Sequence, residues 1–385
     1  MSISRAAVME APGRVQVHEF PVPDPGPGAV IMRVSLSGIC GTDKHTFRGE
    51  SKQYAGTPHE RDVIYPLICG HENVGTVVAI GGEARDSNGQ LLRLGDRIVP
   101  GANVACGRCF YCLNGYPYYF CQHLEDYGNS LNCIDPPHLF GGWSEYMYLL
   151  PGSAIFRVPD ELPDEVAVLT EVMAVTHGVE KAMTVLGLTG GNSVGVSVAV
   201  LGVGPLGLCH VVKSRLLGAG KIIATDRLPS RLKFAADFGA DQMLDVSATE
   251  TADRIEAIHA ATDGLGVDIV IDCSGFPETF VEALHAVRTG GVVVEAGTFV
   301  DMGPVAINPN SDICTRNVSV LGIGGETAPA YSASMKLMAA NLGRYPLDRI
   351  VTHRYPLEQA HEAVVMAQSD EAMQVVIDPT ASVPG

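Results

Sequence analysis

The stretch that decides the fold is residues 194–217, which read VGVSVAVLGVGPLGLCHVVKSRLL. It begins with the continuous apolar run Val194–Leu201, which predicts a buried strand. The glycine-rich turn Gly202–Gly207 follows directly, and the run Pro205–Leu217 has the character of a helix. Strand, turn and helix in this order predict the opening βαβ unit of a parallel sheet.

The turn reads Gly202-Val203-Gly204-Pro205-Leu206-Gly207 and matches G-x-G-x-x-G, a pattern that binds a dinucleotide when it joins a strand to a helix. Gly202 would permit the tight turn, Gly204 would let the backbone approach a pyrophosphate, and Gly207 would let the helix lie close to the sheet. The phosphates would sit at the helix N-terminus, beside Pro205 and Leu206. The alternative is a glycine-rich turn without a ligand, but the sequence context favours a dinucleotide.

Asp226 follows the second predicted strand, Lys221–Thr225, where a carboxylate can accept hydrogen bonds from the ribose hydroxyls of the cofactor. Because this carboxylate would repel a 2′-phosphate, we expect NAD rather than NADP. The nearby Arg227 and Arg231 are also candidate cofactor contacts, since either could reach a phosphate. The alternative for Asp226 is a polar residue of a surface turn.

The rest of the chain falls into two kinds of pattern. After residue 194, uninterrupted Val/Ile runs alternate with helical segments, which predicts an α/β domain with a parallel sheet covered on both faces. The first 150 residues instead form short segments broken by Gly and Pro, which predicts an antiparallel β-rich domain. The predicted strands include Val15–Phe20, Ala29–Ser37, Val74–Ile80, Val267–Asp272 and Gly291–Glu295, and predicted helices run over Thr170–Leu186 and about Ser230–Phe238.

Composition excludes several classes of protein. A chain of 385 residues with 46% hydrophobic and 18% charged residues is expected to be globular, with two domains. Its formal net charge of -17 argues against a nucleic-acid partner. We find no stretch of about 18 apolar residues that could span a membrane, and no signal peptide at the start. The expected location is therefore the cytoplasm.

Four of the ten cysteines lie within residues 106–121, with the spacing C-x2-C-x2-C-x8-C. Because a reducing compartment keeps thiols free, this spacing indicates a metal rather than disulfides. Four thiolates can surround one zinc ion tetrahedrally and leave no open position, which is typical of a structural site. Free thiols or an iron–sulfur cluster are the alternatives. The four residues are Cys106, Cys109, Cys112 and Cys121.

A second candidate metal site is dispersed along the chain. Cys40 opens the segment Cys-Gly-Thr-Asp-Lys-His, and His71 lies in Gly-His-Glu after a short apolar run. A thiolate, an imidazole and a carboxylate would leave a fourth zinc position open for substrate. Taken singly, Cys40 could equally be a small buried residue and His71 an ordinary buried polar one.

Four elements in this order, C-x-T-D-x-H, G-H-E, the four-cysteine lobe and G-x-G-x-x-G, resemble the zinc-containing medium-chain dehydrogenase/reductase family over essentially the whole chain. The resemblance implies a GroES-like β-rich catalytic domain at residues 1–172, a Rossmann domain inserted at 173–316, and a return segment at 317–385. It also implies a homodimer or homotetramer that acts on a small-molecule alcohol or carbonyl compound. The lobe departs from the family by one additional residue between its last two cysteines.

The resemblance also implies roles for individual residues. Cys40 and His71 match zinc ligands, Glu72 matches a glutamate that can approach the metal, and Glu171 matches the third ligand. Asp43 matches the carboxylate that orients the metal-binding histidine. Proton-relay positions are matched by Thr42 and His45, although a loop histidine can also be merely solvated. Backbone contacts to the nicotinamide are expected around Ser274, Gly297, Thr298 and Gly322.

These parts together predict a zinc-dependent enzyme that transfers a hydride between an alcohol and NAD, with one catalytic and one structural zinc per chain. A glutamate at position 171 resembles the polyol and threonine dehydrogenase branches, so a polyol or secondary alcohol is the favoured substrate. A zinc-free reductase of quinones or alkenes is the first alternative. The second is a non-catalytic nucleotide-binding member of the same superfamily.

Overall fold

The structure is a computed structural model that describes residues 2–50, 52–53, 56 and 60–382. Its contacts divide the chain into two compact units. The first unit contains residues 1–174, 327–342 and 347–385, and the second contains residues 175–326 and 343–346. In the described part of the chain, no helix is long and apolar enough to cross a membrane.

The first unit is rich in β-strands. A seven-stranded sheet has the order β12-β8-β7-β3-β20-β19, with β11 also paired to β3, and a three-stranded sheet has the order β2-β1-β6. The pairs β9–β10 and β4–β5 form two small ribbons. The strands are β1 Ile3–Ala11, β2 Arg14–Pro21, β3 Val30–Gly38, β4 Lys52–Gln53, β5 Arg61–Asp62, β6 Leu67–Ile68, β7 Asn73–Ile80, β8 Arg97–Pro100, β9 Asn103–Val104, β10 Glu125–Asp126, β11 Tyr146–Leu149, β12 Ile155–Arg157, β19 Val351–Tyr355 and β20 Gln374–Ile377.

Short helices connect these strands. Three-residue 3-10 turns occur at Tyr118–Phe120, Leu347–Arg349 and Leu357–Gln359. The core of the unit packs apolar side chains of β1, β3 and β6 around the fully buried Trp143. The helices are α1 Gly41–Arg48, α2 Phe110–Leu113, α3 Asp164–Ala167, α4 Thr170–Val175, α10 Ala328–Ala340 and α11 Ala360–Ala367.

Strand β20 completes the central sheet of the first unit. It pairs antiparallel with β3, opposite Ser37 and Gly38, so the C-terminal segment lies beside the residues that precede Cys40. Strand β19 pairs parallel with β20 at the edge of the same sheet.

The second unit is an α/β domain built on one parallel sheet of six strands, in the order β15-β14-β13-β16-β17-β18. The fold class predicted from the sequence, a parallel-sheet domain combined with a GroES-like β-rich domain, is confirmed. A π-helical segment runs over Pro309–Cys314. The elements are α5 His177–Leu188, β13 Ser197–Leu201, α6 Pro205–Leu216, β14 Lys221–Asp226, α7 Pro229–Asp237, β15 Gln242–Asp245, α8 Thr251–Ala260, β16 Val267–Asp272, α9 Pro277–Ala286, β17 Val287–Glu295 and β18 Ser319–Gly322.

Three boundaries differ from the sequence analysis. The predicted helix over 170–186 is two helices, because Thr176 leaves the helical conformation between α4 and α5. The predicted strand from Val194 begins only at Ser197, and Val194 itself is 70% exposed. The return segment is predicted to start at residue 317, but residues 319–322 form the edge strand β18 of the parallel sheet. The chain rejoins the first unit at residue 327.

Candidate active site and cofactor site

The first ligand candidate lies where a strand passes into a helix. Strand β3 ends at Gly38, and Cys40 is the N-cap residue of α1. The backbone amide of Cys40 donates a 2.8 Å hydrogen bond to the Asp43 carboxylate, which is 1% exposed. Burial raises the pKa of Asp43, and the neighbouring His71 opposes that rise by its charge. Asp43 therefore contacts the backbone of Cys40 and interacts electrostatically with His71, the histidine that it was predicted to orient.

His71 reaches the same place from the loop between β6 and β7. The preceding Gly70 has φ +94°, and an added Cβ there would lie 2.3 Å from Ser37 Oγ and 2.5 Å from Trp143 Cδ1. A side chain at position 70 is therefore excluded both by conformation and by space. The glycine lets the buried Trp143 pack directly against the chain that presents His71.

The structure brings one thiol, one imidazole and one carboxylate together. Ligand atoms of Cys40, His71 and Glu72 all lie within 4.8 Å of one another. Burial and the charge of Glu171 raise the pKa of Cys40 to about 11, and burial raises the pKa of Glu72 well above its usual value. A divalent cation among these crowded anionic groups would offset both effects, and sulfur, nitrogen and oxygen donors suit zinc. The residues present fit a zinc ion.

Glu171 is a further carboxylate close to Cys40. It lies in the first turn of α4 and is 9% exposed, close enough to Cys40 for its charge to raise the pKa of that thiol. The carboxylate of Glu72 belongs to the group whose ligand atoms lie within 4.8 Å of one another. Carboxylates at both positions, 72 and 171, were predicted to bind the metal.

Glu72 is held by a residue that sequence reasoning missed. Gln374, the first residue of β20, donates a 2.6 Å hydrogen bond from Nε2 to Glu72 Oε2. Gly38 leaves room for this contact, since a Cβ there would lie 2.0 Å from Glu72 Oε2 and 2.9 Å from Gln374 Nε2. About 300 residues separate the glutamine from the glutamate, and no local pattern in the sequence links them.

The two candidate relay residues lie on α1, three positions apart and therefore on one face of the helix. The hydroxyl of Thr42 is 3.9 Å from Cys40 Sγ. The ring of His45 is 22% exposed, and its Nδ1 is 2.9 Å from Glu50 Oε2. Burial lowers the pKa of His45. Thr42 thus lies beside the metal-ligand group, and His45 is partly exposed at the surface.

The four-cysteine lobe is a compact cluster, and all four sulfur atoms lie within 4.8 Å of one another. Cys109 Sγ is 3.4 Å from Cys112 Sγ and 3.9 Å from Cys121 Sγ. The additional residue before Cys121 does not disturb this arrangement, because the chain makes the 3-10 turn Tyr118–Phe120 and returns Cys121 to the cluster.

Backbone amides prepare this cluster for thiolates. Amides of Cys112 and Gln122 lower the pKa of Cys109 to about 6. Cys121 Sγ accepts hydrogen bonds from the amides of Cys106 at 3.2 Å and His123 at 3.3 Å, although burial raises its pKa to about 12. Four sulfur donors with such partners fit a closed tetrahedral zinc site.

The glycine-rich turn of the second unit has the geometry that its spacing predicts. Gly202 has φ +83°, a conformation that L-residues rarely adopt. Gly204 is the N-cap of α6, and Pro205 and Leu206 form its first turn. A Cβ on Gly207 would lie 2.0 Å from the carbonyl oxygen of Gly202. Helix α6 therefore begins in direct contact with the end of β13 and offers its N-terminal amides to an anion.

Asp226, the last residue of β14, lies directly beside this turn. Its Oδ2 accepts a 3.0 Å hydrogen bond from the Val203 amide, and its Oδ1 accepts one of 3.0 Å from the Leu228 amide. Arg231 Nη1 is 3.9 Å from Asp226 Oδ2, whereas Arg227 is exposed. The two roles predicted for this carboxylate were a ribose contact and a surface-turn residue. The structure shows that it also links the glycine-rich turn to the following loop.

The residues expected near the nicotinamide all lie at the carboxyl edge of the parallel sheet. Ser274 follows β16, Gly297 and Thr298 follow β17, and Gly322 ends β18. Glu295 Oε1 accepts hydrogen bonds from the amides of Gly297 at 3.2 Å and Thr298 at 3.0 Å, and from the Thr298 hydroxyl at 2.8 Å. Glu295 was missed because its role depends on a turn two residues later.

Two family models match the chain. Residues 26–160 match the alcohol dehydrogenase GroES-like domain, and residues 205–340 match the zinc-binding dehydrogenase model. The first match contains Cys40, His71 and the four-cysteine lobe, and the second begins at the first residue of α6.

Relatives extend the likeness to the full length of the chain. A protein of Mycobacterium tuberculosis described as a probable alcohol dehydrogenase is 34% identical over 94% of this chain and 93% of its own. The 5-exo-hydroxycamphor dehydrogenase of Pseudomonas putida is 29% identical over 99% of this chain and 100% of its own. A zinc-binding dehydrogenase of Sinorhizobium meliloti solved with NADP is 30% identical, with a TM-score of 0.82 over 98% of this chain and 100% of its own. The chain belongs to the zinc-containing medium-chain dehydrogenase/reductase family.

Proposed function

We propose that this protein is a zinc-dependent alcohol dehydrogenase that transfers a hydride between a secondary alcohol or polyol and NAD. The observation that supports this most directly is the group formed by the partly buried Cys40 and His71 and the buried Glu72, in a chain that also contains the glycine-rich turn. A zinc-free reductase would not need these three donors within 4.8 Å of one another. A non-catalytic member would need neither the donors nor the relay residues.

The catalytic zinc would be held by Cys40 and His71 together with a carboxylate, for which Glu72 and Glu171 are the two candidates. These residues would hold a Lewis acid that makes the hydroxyl of an alcohol more acidic, and NAD would supply the hydride acceptor. Asp43 fixes the N-terminus of α1 through its hydrogen bond to the Cys40 amide. A second zinc at the four-cysteine lobe would be structural.

Thr42 and His45 would move the proton of the alcohol to water. Thr42 lies beside the ligand group, while the partly exposed His45 provides the exit. Because burial lowers the pKa of His45, its ring is neutral near neutral pH and can accept a proton.

NAD is the proposed cofactor because Asp226 places a carboxylate at the end of the second strand, where it disfavours a 2′-phosphate. The Sinorhizobium meliloti relative binds NADP, so both cofactors belong in the test. The 5-exo-hydroxycamphor dehydrogenase acts, by its name, on a cyclic secondary alcohol, in agreement with the proposed substrate class. A homodimer or homotetramer in the cytoplasm remains our expectation.

The test is zinc analysis combined with reduction of NAD and NADP on primary, cyclic secondary and polyhydroxy alcohols. Cys40→Ser and His71→Ala should abolish turnover and leave NADH binding intact, because neither residue belongs to the unit that contains the glycine-rich turn. The exposed Cys314 provides a matched control, and Cys314→Ser should retain full activity. A wild-type protein without zinc and without turnover on every alcohol would overturn the proposal.

A further inference from the structure

Two carboxylates at the carboxyl edge of the parallel sheet have no part in the proposed chemistry. Asp272 ends β16 and Glu295 ends β17, and the two residues are direct partners in the register of these neighbouring strands. Register partners in a parallel pair point to the same face of the sheet. Asp272 is completely buried, and the charge of Glu295 acts on it.

Each carboxylate uses one oxygen to hold the loop that follows its strand. Asp272 Oδ1 accepts a 2.9 Å hydrogen bond from the Ser274 amide. Glu295 Oε1 accepts the three hydrogen bonds from Gly297 and Thr298 described above. These are the loops expected to contact the nicotinamide end of the cofactor.

The other oxygen of each carboxylate is buried. Within the described residues, neither Asp272 Oδ2 nor Glu295 Oε2 has a hydrogen-bond partner. Two neighbouring carboxylates with buried, unpartnered oxygens are unfavourable when both are ionised, whereas one proton between them would convert two unpartnered acceptors into one hydrogen bond. Pairs of this kind bind a single proton in common.

The described titratable groups near Asp272 do not supply a positive charge to the two carboxylates. Glu282 of α9 also faces Asp272, but it is engaged by Arg254 of α8 through hydrogen bonds of 2.9 and 2.6 Å. Burial holds the thiol of Cys273 protonated by raising its pKa, and Cys209 of α6 lies near that thiol. His210 also lies on α6, and burial lowers its pKa to about 4. Its ring is therefore neutral at neutral pH.

We propose that Asp272 and Glu295 share one proton, and that this proton holds the loops after β16 and β17 in the form that binds the nicotinamide dinucleotide. Asp272 Oδ2 donates to Glu295 Oε2, while the remaining two oxygens retain the loop amides. Loss of the proton to solvent leaves two repelling carboxylates and releases one of the loops. The cofactor part of this inference rests on the proposed function, and both side chains are positioning residues.

The pH range follows from burial, which, together with the charge of Glu295, raises the pKa of Asp272 to about 7. Asp272 is therefore protonated below that pH and ionised above it. NADH affinity of the wild type should fall about tenfold for each pH unit above about 7, because one proton is lost from the binding-competent form.

The test compares NADH binding from about pH 6 to about pH 9 in the wild type, Asp272→Asn and Glu295→Gln. An amide donates the missing hydrogen bond without titrating, so both variants should bind with less than about twofold change over this range. Asp245→Asn is the matched control, since Asp245 also ends a strand of this sheet and holds its following turn through Ser247. In the control, NADH affinity should fall with pH as steeply as in the wild type. If NADH affinity has the same pH dependence in all four proteins, the proposal is overturned.

A second measurement does not depend on the cofactor. Because the pKa of Asp272 is raised on folding, its contribution to stability is complete below about pH 4 and is lost as the pH rises through about 7. The melting temperature of the wild type should therefore fall relative to Asp272→Asn as the pH rises from about 4 to about 7, and the difference should stay constant at higher pH. If the melting temperatures of the wild type and Asp272→Asn change with pH in parallel, the proposal that the two carboxylates share a proton is overturned. Absence of NADH binding at every pH would instead overturn the proposed function and the cofactor part of this inference.

Discussion

Alanine substitutions at two glycines of the cofactor turn, Gly207 and Gly204, should distinguish a role in helix packing from a role in ligand binding. A Cβ on Gly207 would lie 2.0 Å from the carbonyl oxygen of Gly202 and 2.9 Å from its carbonyl carbon. These are main-chain atoms at the end of a central strand, so they cannot rotate away. A Cβ on Gly204 would meet only the guanidinium of Arg231, at 3.6 to 4.0 Å.

The cost at Gly207 follows from this contact. Overpacking of a tight site costs about 1–3 kcal/mol, and a clash with main-chain atoms belongs at the upper end of that range. The better helix propensity of alanine offsets at most about 1 kcal/mol, which leaves a net cost of about 2 kcal/mol. Gly207→Ala should therefore lower the melting temperature by several degrees, since each kcal/mol corresponds to about 2–4 °C in a domain of this size. Because α6 must move away from β13, NADH binding should weaken as well.

Gly204→Ala should behave differently. Gly204 has φ −65°, which alanine adopts readily, and the change at an N-cap costs less than about 1 kcal/mol. The new methyl group would nevertheless stand where the pyrophosphate is proposed to approach the backbone. We expect NADH affinity to fall at least about tenfold, or about 1.4 kcal/mol, with little change in melting temperature.

The assay is thermal denaturation of both variants together with NADH titration by fluorescence. A Gly207→Ala protein that melts within about 1 °C of the wild type would refute the argument from close packing. If Gly204→Ala binds NADH as the wild type does, the pyrophosphate does not lie at this turn, and the cofactor site must be sought elsewhere.

Three further changes test other parts of the molecule. Cys109→Ser should reduce the zinc content from about two ions to about one and lower the melting temperature, as metal analysis and denaturation would show; an unchanged zinc content would contradict a structural site. Asp226→Gly should relax the preference for NAD over NADP, measured as the ratio of kcat/KM values. It should also destabilise the turn by about 1–3 kcal/mol for each amide left without its acceptor. Gln374→Leu should lower kcat while leaving NADH affinity unchanged, because it removes the hydrogen bond to Glu72; a normal kcat would exclude a positioning role for Gln374.

The features predicted most closely from the sequence are those whose geometry is local. The glycine-rich turn and the four cysteines each lie within sixteen residues, so the spacing itself restricts how the backbone can bring the groups together. The observed φ of Gly202, the contact at Gly207 and the clustered sulfur atoms agree with those patterns. Even the additional residue before Cys121 is absorbed by one local turn.

The dispersed site could be assembled from the sequence only through family resemblance. No periodicity relates Cys40 to His71, since one follows a strand of the central sheet and the other follows a two-residue strand of the second sheet. The resemblance predicted carboxylates at positions 72 and 171. Where each lies relative to the thiol depends on how the loop after β6 and the start of α4 pack.

By itself, therefore, the sequence determined the two-domain α/β and β-rich architecture, the cofactor turn and the four-cysteine lobe, because short-range spacing controls each of them. Only the tertiary structure decided that Gln374 holds Glu72, since this contact requires β20 to pair with β3. Strand register alone brought Asp272 beside Glu295. In both cases the partners are far apart along the chain, and their contact is a property of sheet order, which hydrophobic pattern and local propensity do not specify.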